Sequence, residues 1–270
     1  MGGFRPLKEI LMVRHAERIG TAAGLAIGLL LCGCGGSGTG GGGIFNQPAP
    51  RLRMVNGLPQ VASMDAVISG KAQPDPVTTT LAYGTVSGTQ QQPYDILTQR
   101  QNQTVTVYDD AAPTVPVTTF NHNFTFGDKI TAIVYGQNSS AQTIQLFDNA
   151  TNAPSAADVR IVDAAANMGA VDFFLVPTGQ ANSNSHQLSP GDVFPQQTTN
   201  TDNNYTLIPS VDKMFTINVY PQGNDTGTPL LAQQVQINTS DRLTLVLLDA
   251  PQGSATPQLL VIHDNNSNAG

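Results

Sequence analysis

The chain has 270 residues, 40% hydrophobic and only 11% charged, with 18 Pro, 26 Gly and no Trp. Charged residues make up roughly a quarter of an ordinary soluble domain, so here the polar surface must come from Asn, Gln, Thr and Ser, a composition suited to extracytoplasmic strands and turns. From Cys34 onward the chain carries 8 basic and 17 acidic residues, every acid an Asp, for a net charge of −9; so dilute a negative surface excludes nucleic acid and anionic lipid headgroups as partners, which need clustered Lys and Arg.

The first element is a leader. Four of the 12 basic residues (Arg5, Lys8, Arg14, Arg18) precede residue 20, and the 13 residues Ile19 to Leu31 are apolar or small. A membrane-spanning helix needs about 20 apolar residues, whereas a secretion-signal core of about 7–15 fits this run. Leu31-Cys32-Gly33-Cys34 follows and resembles the bacterial lipobox, with small Gly33 just before the modified cysteine. The resemblance implies cleavage after Gly33, diacylglycerol on the Cys34 sulfur and acylation of the freed amine. Several acyl chains together make a stable anchor, since each buried methylene contributes about 0.8 kcal/mol. Gly35 after the cysteine, in place of Asp, favours the outer membrane by resemblance to Gram-negative sorting signals. Arg14-His15-Ala16-Glu17 looks like the Arg-His-x-Glu motif of histidine phosphatases, but it runs directly into the secretion segment and reads as its basic flank.

Residues 34–50 form the second element, a Gly-rich tether that has no side chains to bury and so cannot offset the cost of ordering. About 16 flexible residues span roughly 20–25 Å on average.

The rest of the chain is an internal repeat. Arg53-Met54-Val55-Asn56 matches Arg160-Ile161-Val162-Asp163, and Tyr94-Asp95-Ile96-Leu97 matches Tyr205-Thr206-Leu207-Ile208. Gly127-Asp128-Lys129-Ile130-Thr131 matches Ser240-Asp241-Arg242-Leu243-Thr244, and Leu146-Phe147-Asp148-Asn149 matches Ile262-His263-Asp264-Asn265. The offset between copies grows in one direction along the chain, as loop insertions in the second copy would make it. Each copy alternates with period two, as in Phe215, Ile217, Val219 and in Leu243, Leu245, Leu247, which predicts strands with one buried face. A period above about 100 residues is the size of one β-sandwich domain rather than a solenoid repeat. The expectation is all-β: two tandem Ig-like antiparallel β-sandwiches, repeat 1 over 51–150 and repeat 2 over 158–266, each with seven or eight strands.

Val159 to Ala165, followed by Ala170-Val171-Asp172-Phe173, resembles the opening of the bacterial "domain of unknown function 4397" repeats, an Arg-containing strand followed by a Val-Asp strand. Gly127 to Val134 is similar to a later strand of that family, with Ile130 in place of the usual aromatic. The resemblance covers most of 51–265. It implies an exported, often lipid-anchored protein and carries no established activity.

Arg53 and Asp65 recur as Arg160 and Asp172 at identical spacing, and the expectation is a structural ion pair at a sheet edge in each copy. The mature histidines His122, His186 and His263 do not occupy equivalent positions, and no Gly-x-Ser-x-Gly elbow exists, so a catalytic triad has no support. Asp/Asn clusters such as Asp148-Asn149 and Asp264-Asn265 lack the calcium-loop pattern. No cofactor, metal or catalytic residue is expected. The reading is a non-enzymatic, lipid-anchored envelope protein with structural, adhesion or scaffold modules and an envelope protein or polysaccharide as partner. The alternative is an envelope enzyme, or a small-ligand or calcium-binding protein with its site in the end loops of a sandwich.

Overall fold

The computed structural model describes residues 48–69, 75–89, 92–97, 101–149, 155–182, 188, 205–209 and 212–264. The leader with its Gly33 cleavage site, Cys34, nearly all of the tether and His186 lie outside the described residues.

The fold is all-β, as its alternating sequence requires. Repeat 1 supplies β1 (Arg51–Gly57), β2 (Ser63–Ser69), β3 (Asp75–Ala82), β4 (Asp95–Ile96), β5 (Gln101–Asp109), β6 (Ala112–Phe124), β7 (Lys129–Tyr135) and β8 (Gln142–Phe147). Repeat 2 supplies β9 (Ala157–Ala164), β10 (Val171–Pro177), β11 (Thr206–Ile208), β12 (Lys213–Pro221), β13 (Leu231–Ile237), β14 (Arg242–Leu248) and β15 (Gln258–His263). The first repeat forms two sheets, β4-β1-β7-β8 and β3-β2-β5-β6; the second forms β11-β9-β14-β15 and β10-β12-β13. The plan is therefore the same twice over, and β3 has no counterpart among the described residues of repeat 2.

Most pairings are antiparallel, but β1 runs parallel to β7 and β9 parallel to β14. Parallel neighbours need a long crossover. Here the intervening strands of the opposite sheet provide it. The parallel register aligns Arg53 with Thr131 and Arg160 with Thr244, so the two copies match residue for residue.

Each sandwich has its own core between its sheets. In repeat 1, Leu52 and Met54 of β1 and Ile130 and Ala132 of β7 face Met64 and Ala66 of β2 and Val105 and Val107 of β5. In repeat 2, Val159 of β9 and Leu243 and Leu245 of β14 face Phe173 of β10 and Ile217 of β12. A third apolar cluster lies between the repeats: Val55, Ile133 and Leu146 from the first meet Val162, Val246 and Ile262 from the second. Along each strand these residues alternate with the ones that fill the sandwich core. The sheets β4-β1-β7-β8 and β11-β9-β14-β15 are thus buried on both faces, which is why β1 (six of seven residues) and β14 (all seven) are buried in near-continuous runs rather than alternately. Gly57 fits this contact because a Cβ there would stand 2.9 Å from the Leu248 side chain. At one end the Tyr83 hydroxyl donates to the Asp249 carbonyl across the junction.

Candidate functional site

The sequence repeat places the same four side chains in each copy: an Arg on the first strand, a Tyr just before the short edge strand, a Thr on the parallel neighbour and an Asp just after the last strand. All four project from the face that meets the other repeat. Arg53 Nε donates to Thr131 Oγ1 at 2.9 Å, and Arg160 Nε to Thr244 Oγ1 at 3.0 Å. Each threonine hydroxyl passes its own hydrogen to the carboxylate of its repeat, Thr131 to Asp148 and Thr244 to Asp264. The tyrosines do likewise, Tyr94 to Asp148 at 3.1 Å and Tyr205 to Asp264 at 2.9 Å. Their rings lie under the guanidiniums, with Arg53 4.6 Å from the Tyr94 ring centre and Arg160 4.7 Å from that of Tyr205.

The arginines then cross over. Arg53 Nη2 donates to Asp264 of the other repeat and lies 3.4 Å from Asp148 of its own. Arg160 Nη2 donates to Asp148 of the other repeat and lies 3.6 Å from Asp264 of its own. The contacts between repeats are the tighter ones. Two guanidiniums and two carboxylates, all buried, form one neutral cluster related by an approximate two-fold axis. Burial alone pushes the Asp264 carboxyl up, but Arg53 and Arg160 outweigh it and hold this carboxyl below the usual carboxylate range. Burial likewise works against charge on Arg53 and Arg160, and the two carboxylates more than reverse it. The Tyr94 and Tyr205 hydroxyls are pushed up by burial and by the neighbouring carboxylates, so they stay protonated as donors.

The expected pairs Arg53/Asp65 and Arg160/Asp172 are not the ones that form. Asp65 lies on β2 and Asp172 on β10, in the sheet opposite the arginine, and each points out of its sandwich on the far side. Asp65 accepts the Thr80 amide at 2.8 Å, and Asp172 accepts the Gly223 amide at 2.7 Å. Identical spacing in the two copies reflected identical topology, not contact. The six further members of the cluster, Tyr94, Thr131, Asp148, Tyr205, Thr244 and Asp264, all stand at matched positions of the repeat, and that matching was the signal available for finding them. Asp148 and Asp264, from the Asp/Asn clusters that lack the calcium-loop pattern, are occupied by arginine.

The histidines stay apart. His122 sits against Phe124 and Phe147 with Nδ1 2.8 Å from Gln145 Oε1, while His263 is exposed on β15. Among the described residues no group of three His, Cys, Asp or Glu side chains is placed to hold a metal.

Beside the cluster lies a cavity of about 300 Å³. Val86, Ser87, Gly88, Thr89 and Pro93 of repeat 1 form one wall, Val261, Ile262 and His263 of repeat 2 the other, and Arg53 part of the lining. Its repeat 1 wall is not a strand but is fixed like one: the Ser87 amide donates to the Met54 carbonyl at 2.8 Å, and Ser87 Oγ accepts the Met54 amide at 2.9 Å. Gly88 has φ +83°, and a Cβ there would lie 2.5 Å from the Gln92 carbonyl oxygen, so only glycine makes this turn.

The chain is a pair of β-sandwich repeats joined through a buried, two-fold-related charge cluster. No family model matches it, and no curated protein matches it. Among solved structures it is similar to a family 26 carbohydrate-binding module from Eubacterium rectale Amy13K in complex with maltoheptaose, at 13% identity and a TM-score of 0.24, covering 77% of this chain and 94% of that one. It is also similar to a structure of α-glucan binding by a streptococcal virulence factor, at 10% identity and a TM-score of 0.25 over 73% of this chain and 93% of that one. A family 41 carbohydrate-binding module from streptococcal virulence factors gives 13% identity and a TM-score of 0.23, over the same shares of the two chains. At such values the likeness carries nothing about ligand or role.

Proposed function

We propose that this chain is an exported, lipid-anchored protein of the cell envelope, held to the outer membrane by acyl chains on Cys34, whose two repeats act as one rigid, non-catalytic binding or scaffold module. The observation that carries the second half is the junction. Arg53 and Arg160 each take the other repeat's carboxylate, and apolar side chains of both repeats close around them. Linked domains ordinarily move against one another unless their interface is large and apolar. A module with a fixed shape suits presentation of a surface at a set distance from a membrane. The leader, the lipobox and the Gly-rich tether support the first half. We also assign each repeat to the "domain of unknown function 4397" family, supported by the Arg-containing strands β1 and β9 and the Val-Asp start of β10.

Metabolic labelling with a fatty acid, followed by membrane fractionation of wild type and Cys34→Ala, tests the anchor. Label on the wild type alone and release of the variant from the membrane fraction are expected. An unlabelled wild type with an uncleaved amino terminus by intact mass would overturn the reading. Pull-down from envelope extracts with both forms then separates recognition from anchoring, since the partners of a rigid module should be kept by the variant.

A further inference from the structure

We infer that the cavity between the repeats is a binding site for a neutral, hydroxylated ring the size of one sugar residue. Its two walls come from different repeats, so it exists only because the sandwiches are locked together. Its volume of about 300 Å³ stands at the low end for small-molecule sites, enough for a single ring.

The first observation is a donor without a full complement of acceptors. Arg53 is 1% exposed and lines the cavity. Its Nη1 carries two hydrogens, and among the described residues they meet only the His263 carbonyl at 3.5 Å. The counterpart Arg160 Nη1 reaches the Phe147 carbonyl at 3.0 Å, a normal bond. The approximate symmetry therefore breaks on the cavity side, and an unfilled buried donor there is costly unless something else accepts from it.

The chemistry of the occupant follows from charge. Arg53 and Arg160 are balanced by Asp148 and Asp264, so the lining offers an N–H without a net positive field. The chain beyond residue 33 is net negative. Both features disfavour an anion and favour a neutral acceptor such as a hydroxyl or ether oxygen. Thr89 and His263 are exposed at the mouth and supply further polar contacts, while Val86 and Val261 offer aliphatic surface to the C–H face of a ring. The wall is already in place without any ligand, because Ser87 fixes it to β1 and Gly88 makes the turn that follows. Little ordering is then needed on binding.

The test uses the full chain in a detergent without a sugar headgroup, titrated by NMR with glucose, galactose, mannose and N-acetylglucosamine, and with glucuronate as the anionic arm. At least one neutral sugar is expected to bind in the millimolar range, shifting the amides of residues 86–89 and 261–263. Thr89→Tyr, which fills the mouth from an exposed position, should weaken binding at least tenfold. Met214→Ala, on an exposed residue of β12 outside the cavity, should leave it unchanged. No shifts with any neutral sugar, tighter binding of glucuronate, or equal binding by Thr89→Tyr would each overturn the assignment. Failure here would leave the anchoring result on Cys34 untouched, because the two readouts share no residue.

Discussion

Arg53 and Asp264 lie 211 residues apart in sequence and meet with both side chains withdrawn from water, one from each repeat. Removing one partner of a buried ion pair leaves an uncompensated charge and costs about 3–5 kcal/mol. A double-mutant cycle of Arg53→Ala and Asp264→Ala should therefore show strong coupling in chemical denaturation, on the order of 1–3 kcal/mol. The same cycle with Asp65→Ala in place of Asp264→Ala should be additive, because Asp65 faces away on the other sheet. The folded Asp264 carboxyl sits below 3.8, so its contribution is present above that pH and is lost as pH falls through the folded value. Absence of coupling at pH 7 would contradict the assigned contact.

The residues of this cluster were legible in the sequence as a set, though not as a contact. Repeat matching marks Arg53, Tyr94, Thr131 and Asp148 with their four counterparts, and the period-two pattern marks which strand faces are apolar. What pattern alone does not give is the outer face. Val55, Ile133 and Val246 alternate with core residues and so are apolar on both parities, a sign of strands covered on both sides rather than half-exposed. The pairing of Arg53 with Asp65 failed for a related reason. Constant spacing fixes each residue's place in the fold, but the sheet each strand joins, set by the parallel β1/β7 pairing, decides which residues meet.

The junction should make the two sandwiches unfold together. Val246 is fully buried between them on β14, while the neighbours Leu245 and Leu247 fill the core of repeat 2. Val246→Asp puts an unpaired charge into the junction and leaves that core intact. Calorimetry of the wild type should show one transition, and of the variant two, with the lower moved down by several degrees. A single unshifted transition in the variant would mean that the repeats are not coupled through this face.

Thr80 has φ +54°, a left-handed conformation that strains a β-branched residue, and it falls where β3 slips register against β2. The Asp65 carboxylate holds it there by accepting its amide. Thr80→Asn should stabilise the protein by about 0.5–1 kcal/mol, since Asn tolerates this conformation. Asp65→Ala should cost about 1 kcal/mol through the lost acceptor. Urea midpoints of the two variants moving in opposite directions is the expected result; a drop for Thr80→Asn would place the strain elsewhere.

Asp163 and Asn56 occupy equivalent positions at the ends of β9 and β1, and only the amide is fully served there. Asn56 Oδ1 accepts the Leu58 amide at 3.1 Å, while Nδ2 donates to the Val61 carbonyl at 3.2 Å and the Leu81 carbonyl at 2.9 Å. Asp163 Oδ1 accepts the Ala165 amide at 3.0 Å, and its buried Oδ2 has no partner among the described residues. Burial, with a smaller push from Asp249, raises this carboxyl to about 7. The turn that follows is the same in both copies, with Val61 N–H on the Leu58 carbonyl and Met168 N–H on the Ala165 carbonyl. Asp163→Asn would place at this turn the amide that Asn56 uses at the equivalent one. Since the folded value lies above 3.8, the favourable contribution of Asp163 is full below pH 3.8 and is lost as pH rises through about 7. Asp163→Asn should raise stability by about 1–3 kcal/mol at pH 8, where the wild type buries a charge, and change little at pH 4. Thermal melts of both proteins across that range give the answer, and a gain that does not depend on pH would show that Asp163 does not titrate in the folded protein.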